Sequence, residues 1–263
     1  MASPAQYAVL QKDGLAPNPD QIRRAFRAFS NLTDADAVRL AANAQGILLR
    51  RLDADSARAF HQALLKEGVA AALVPESTLG LLPETKSLHR LEITPGALMV
   101  FDLHGQSEPV AWTEVSLIAA GAVRRMELIR TEPDRTLLRF NSGSGTWPNR
   151  ASEAGRAADF ESQLLLELVV TGGAARYEIN AAQFPFKYAI DRPDLSTLQK
   201  FVWLVKEICR HAPGALLNRG ARDLSEGFEL VRGYLDRQVF TDEIVWLLWN
   251  DAQKKRAGAL GGR

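Results

Sequence analysis

The sequence predicts an α+β protein in three parts: a β-α-α-β-α-β module over residues 1–78, an antiparallel β-barrel closed by one helix over 79–222, and a short helical tail over 223–263. Three observations carry this. Apolar residues recur at helical spacing through the first part, then at alternate positions, then at helical spacing again. The switch falls at the Pro- and Gly-containing stretch Leu79–Glu84, which reads as a linker. A length of 263 residues also suits two domains better than one.

The elements of the first module follow in order. Tyr7–Leu10 is a short apolar strand ended by Asp13-Gly14. Asn18-Pro19-Asp20-Gln21 is a helix start: a cap, a proline at the first helical position, an acid, and a glutamine placed to reach back. Ile22, Ala25, Phe26 and Phe29 then share one face, and Arg23, Arg24 and Arg27 the opposite one. That basic face is expected to be solvated, with phosphate or RNA binding as its functional alternative, extended by Arg50 and Arg51. Thr33–Asp36 starts a second helix, followed by Gly46 and the strand Ile47–Leu49. Asp53 or Asp55 caps a third helix, with Ala57, Phe60, Leu64 and Leu65 at helical spacing up to Gly68, and Val69–Val74 is the last strand. The run Leu32–Leu40, then Ala57, Phe60 and Leu64, then Glu67-Gly68-Val69 resembles the C-terminal domain of ribosomal protein L7/L12, whose fold the ClpS adaptor shares. The resemblance implies a Gly between the last helix and the last strand. Ala35, Ala37, Ala41 and Ala42 stand where that family carries a lysine-rich surface for translation factors.

The second part reads as about seven short strands: one through Leu88, Leu91 and Ile93, then Ala97–Leu103, Pro109–Trp112, Val115–Ala119, Val123–Ile129 and Thr136–Phe140. Leu164–Val170 and Arg176–Ile179 form a hairpin around Gly172-Gly173. A helix capped by Ser196 closes the part, with Leu198, Phe201, Val202, Val205, Ile208 and Cys209 inward, Trp203 and Leu204 widening that face, and His211–Gly214 ending it. Strands followed by one aromatic-rich helix, with Pro109–Ile118 among them, resemble a bacterial pleckstrin-homology (PH)-like domain. The early loops Thr94–Gly96 and His104–Glu108 lack the Lys and Arg that phosphoinositide-binding relatives place there. Asn141–Ala158, rich in Ser, Gly and Ala, reads as an inserted loop. Trp147 within it is either a contact residue or folded back on the barrel wall.

In the tail, Ser225 and Thr241 are each expected to begin a short helix. Leu235–Ile244 resembles short oligomerisation tails of bacterial proteins that carry PH-like domains. Trp246-Leu247-Leu248-Trp249 cannot all face one core, because consecutive helical positions step by 100°. One tryptophan is therefore expected to point away from its own module, either toward a partner or into a groove between the modules.

Chemistry is sparse. His61, His89, His104 and His211 stand at no metal-ligand spacing, and no P-loop or dinucleotide fingerprint is present, so no metal or cofactor is expected. Cys209 lies on an apolar helix face, where desolvation makes a poor nucleophile. The paired acids Asp34/Asp36 and Asp53/Asp55 are explained by helix starts. With 32 Lys+Arg against 31 Asp+Glu, the net charge of +1 argues against broad capture of nucleic acid or an anionic membrane. No window holds the ~18 apolar residues of a membrane helix, and Met1–Ala16 has no signal-peptide pattern, so a cytoplasmic location is expected. The expected role is a non-enzymatic binding or adaptor protein with an unknown protein partner or self-association through the tail. Trp147, Trp246, Trp249, Arg23, Arg24 and Arg27 are its candidate contact residues. The alternatives are an enzyme with a dispersed site at the module junction, around His89, Arg90 and Glu92, and an RNA-binding protein.

Overall fold

The computed structural model describes residues 5–12, 17–27, 46–102, 104–124, 162–170, 175–228 and 231–261, and within them the chain is a mixed α+β protein. The second expected helix, the strand Thr136–Phe140, the Gly172-Gly173 turn and Trp147 lie outside the described residues.

The first lobe is a three-stranded antiparallel sheet in which β1 (Tyr7–Gln11) lies between β2 (Ile47–Leu52) and β3 (Ala71–Pro75). Helix α1 (Pro19–Arg27) and helix α2 (Ala54–Lys66) cover one face, burying Ile22, Phe26, Phe60 and Leu64 against Val9, Leu48 and Ala71. Local chemistry explains the helix ends. The Asn18 side chain accepts the N–H of Asp20, and Asp53 accepts those of Asp55 and Ser56. Those two N–H groups hold the Asp53 carboxyl below the usual carboxylate range. Gln21 does not reach back to its cap; its amide donates to the carbonyl of Glu67 and ties α1 to the end of α2. Gly68 there has φ +76°, the left-handed turn that ends the helix.

The second lobe is two sheets facing each other across one core. One is the meander β5 (Arg90–Ile93), β6 (Ala97–Phe101) and β7 (Ser107–Ala111). The other runs from β8 (Val115–Arg124) to β9 (Ser162–Val170), β10 (Ala175–Asn180) and β4 (Thr85–Ser87), the last pairing parallel. Helix α3 (Thr197–His211), capped reciprocally by Ser196 and Gln199, packs into this core with Phe201, Leu204, Val205, Ile208 and Cys209.

Several expectations are corrected here. The described strands form no closed barrel. The chain crosses from one sheet to the other at Leu88-His89 and at a 3-10 turn over Trp112–Glu114. The remaining edge of β8 is taken by two short parallel strands from far along the chain, β11 (Leu216–Leu217) and β12 (Gly233–Tyr234). Where two strands with a break between them were expected, β8 runs unbroken through Gly121. A side chain at Gly121 would collide with the Tyr234 ring, its Cβ lying 2.4 Å from that ring, so the glycine serves a close approach instead of a turn. Trp203 is only half-buried: the stripe that meets the sheets is 201, 204, 205 and 208, and 203 falls on its margin.

The tail differs most. Ser225 ends a helix, α4 (Arg219–Ser225), and Thr241 lies inside one, α5 (Arg237–Gly261). Asn218 caps α4, and Asp236 accepts the N–H of Val239 at the start of α5. The helix expected from Ser225 does not form, since Tyr234 lies in β12, and the one expected from Thr241 is part of a longer helix. Helix α5 is buried on two sides. Phe240 and Ile244 pack on the outer face of β8 and β9, against Leu117, Ala119, Leu165 and Val169. Val245 and Trp246 pack on the second face of the first lobe's sheet, against Ala8, Leu10 and Ile47.

Candidate interaction surface

Of the residues singled out in the sequence, Trp246 is 4% exposed and its indole N–H donates to the carbonyl of Gln11 at 2.8 Å. It does point away from the second lobe, but into the first. Gly46, at φ +83°, makes room for it, since a Cβ there would lie 3.0 Å from the indole. Beside this contact Arg50 reaches Glu76 and Asp242 at 2.5 and 2.6 Å, so an ion triad spans the two lobes. Burial raises the Asp242 carboxyl above its usual range, against the pull of Arg50.

The arginine face of α1 is not a free cationic stripe. Arg24 pairs with Glu67 at 2.6 Å, and Arg23 lies 3.4 Å from Asp20. Arg27 is exposed and also has an interaction of its own. With Arg50 committed to its triad, Arg23, Arg24 and Arg50, of the five arginines expected to extend that face, pair with acids from this chain. His89, Arg90 and Glu92 are not at the junction of the lobes. His89 is exposed, Arg90 pairs with Glu92 at 2.5 Å, and the Arg90 guanidinium lies 4.1 Å from the Phe101 ring centroid.

Two buried polar clusters escaped the sequence reading. In the first, Asn218 bonds the N–H and carbonyl of Ala120, the N–H of Ala221 and the Tyr234 hydroxyl. Tyr234 donates onward to Glu243 at 2.9 Å, and Arg219 binds the same carboxylate through its backbone N–H and its guanidinium. Burial, and then the Glu243 charge, push the Tyr234 phenol far above its usual range, so this hydroxyl is a permanent donor and no acid–base group. Gly220 completes the joint: a Cβ there would overlap the Ala120 carbonyl. In the second cluster, Arg176 places two nitrogens 2.6 Å from one oxygen of buried Glu167, while Arg237 contacts both Glu167 and Glu178. Both clusters pin α4 and α5 to the sheet, and every acid in them faces a cation or a hydroxyl. Neither has long-range partners that sequence spacing could reveal. No group of three or more His, Cys, Asp or Glu side chains suited to a metal ion occurs among the described residues. Cys209 is buried, and burial pushes its thiol up to about 11.

The most exposed large apolar side chain among the described residues lies where the linker meets α5. Leu81, between Gly80 and Pro83, is 99% exposed. It lines a groove of about 270 Å³ with Leu82, Pro83, Leu248, half-buried Trp249 and, at the rim, Arg256. Leu82 and Trp249 rest on the inter-lobe core, so the floor of the groove is fixed while Leu81 stands free. Of the two tail tryptophans, then, Trp249 reaches the surface and Trp246 does not. No described helix is long and apolar enough to cross a membrane. Comparison of the chain with protein families, with curated proteins and with solved structures finds no match.

Proposed function

We propose that this is a non-enzymatic binding or adaptor protein, and that the groove between Leu81 and Trp249 is where it takes a protein partner. The supporting observation is the wholly exposed Leu81 beside a half-buried tryptophan. Leaving a leucine in water forgoes roughly 1.5–3 kcal/mol of burial, and an apolar groove rimmed by polar side chains is the usual mark of a contact site. Trp and Arg are the residue types that most often dominate such contacts, and Trp249 and Arg256 both line this groove. The fitting partner offers an apolar side chain to lie along Leu81 and Trp249 and an acid to meet Arg256.

The same reading treats residues 1–78 and 79–222 as two binding modules of L7/L12-like and PH-like descent, joined by 223–263 and working in the cytoplasm. The test is affinity capture from native extract with the partner identified, followed by measured affinities for two variants. Leu81→Asp adds a charge at a fully exposed position and should keep the fold while weakening binding at least tenfold, and Trp249→Ala should weaken binding to the same protein. Leu198→Asp alters an unrelated exposed apolar residue on α3, 46% exposed, and should bind normally. Undiminished binding by both groove variants would overturn this assignment.

A further inference from the structure

A second cavity, on the other side of α5, has a different chemistry. It measures about 430 Å³ and lies between the 3-10 turn at Trp112, the end of α3 and the exposed half of α5. That size falls in the range of small-molecule sites. Trp112, Val115, Pro213, Leu216 and Leu248 supply apolar walls.

The aromatic wall is held from two sides. The Trp112 indole N–H donates to the carbonyl of Thr94 at 2.9 Å, and the His211 ring stacks on it at 4.8 Å between centroids and 23° between planes. His211 is oriented in turn, since its Nε2 lies 2.8 Å from an Arg210 nitrogen. A guanidinium can only donate, so the contact with Arg210 is made by the tautomer that carries its proton on Nδ1. Glu207 lies 3.4 Å from the same Nε2 and pairs with Arg210. In that tautomer the Nδ1–H has no acceptor among the described residues. Lys255 adds a cation, 77% exposed and 2.7 Å from Asp251. An exposed i,i+4 pair of this kind is weak, so the ammonium is readily shared with a ligand. The one acid of the cavity is matched by that lysine, so the imidazole donor is left to be satisfied and the ammonium to be shared.

We propose that this cavity binds a small amphipathic carboxylate, with its aromatic or aliphatic body against Trp112 and Leu248 and its carboxylate between His211 and Lys255. The assignment is independent of the partner groove and stands or falls separately from it. It is tested by isothermal titration calorimetry of the full chain with octanoate and benzoate, and with octanol as the uncharged counterpart of octanoate. Gly214 lines the cavity, and a Cβ there would meet nothing within 4 Å, so a side chain can be added at its wall and Gly214→Leu is expected to reduce the space. Octanoate or benzoate should bind the native protein, lose at least tenfold in affinity with Gly214→Leu, and lose about tenfold with Lys255→Gln, the usual loss for a charge-assisted contact. Octanol should bind more weakly than octanoate. Lys255→Gln, on an exposed helix surface, provides a second arm should Gly214→Leu fold poorly. Absence of binding by either carboxylate, equal binding by the folded variants, or octanol binding as well as octanoate would each overturn the proposal.

Discussion

Asn218 uses its whole hydrogen-bonding capacity at one buried position. Its oxygen accepts from Ala120 and Ala221, and its amide donates to Ala120 and to Tyr234. No shorter polar residue fills that set. Asn218→Ala removes the cap of α4, takes both side-chain bonds from the Ala120 backbone, and leaves the Tyr234 hydroxyl with Glu243 alone. The expected cost is roughly 2–4 kcal/mol, read as a lower urea midpoint at unchanged slope. A loss under about 1 kcal/mol would mean that water replaces the amide. Little of this was legible beforehand. An asparagine ahead of a helix can be read as a cap, but Ala120 and Tyr234 lie 98 and 16 residues away, and no local pattern points to them. The caps at Asn18, Asp53 and Ser196 were legible because their partners are within three residues.

At the scale of the element, α5 departs from the usual amphipathic helix. Its Val245–Trp249 run is apolar at every position because two separate sheets need covering. Reading the period of apolar residues assumes one dry face, and on that assumption a helix was expected from Ser225, where one ends and Tyr234 lies in a strand, and another from Thr241, four residues inside α5. The same logic ranks two tryptophans. Trp246→Ala removes a fully packed side chain and its bond to Gln11 and should cost about 3–5 kcal/mol. Trp203→Ala, at the margin of the α3 stripe, should cost less than half as much. Thermal or denaturant melts of the two variants check the order, and equal losses would contradict the packing described for α5. Strands were legible as short alternating runs, and most were placed within a few residues. The route of those strands was not, because pairing of β8 with β11 and β12 is decided by tertiary contact and leaves no mark in the alternation itself.

For the molecule as a whole, α5 belongs to the core of both lobes, and Trp246 and the Arg50–Glu76–Asp242 triad join them directly. Differential scanning calorimetry should therefore show one transition whose calorimetric and van't Hoff enthalpies agree. Two resolved transitions would show that the lobes unfold independently. Removing everything after Ala221 would strip apolar cover from both sheets, so point substitutions at Leu81 and Trp249 are the cleaner probe of binding. The covering of β8 also sets a timetable for biosynthesis. When β8 and β9 leave the ribosome, their outer face and one edge still await β12 and α5, which begin about 60–70 residues after β9. At about 5–20 residues per second that is a delay of roughly 3–14 s. Throughout it, Leu117, Leu165 and Val169 and an unpaired strand edge face solvent, the combination that invites strand-to-strand association between nascent chains. Holdase chaperones would meet this chain at that window, and slow codons between β9 and α5 would lengthen it.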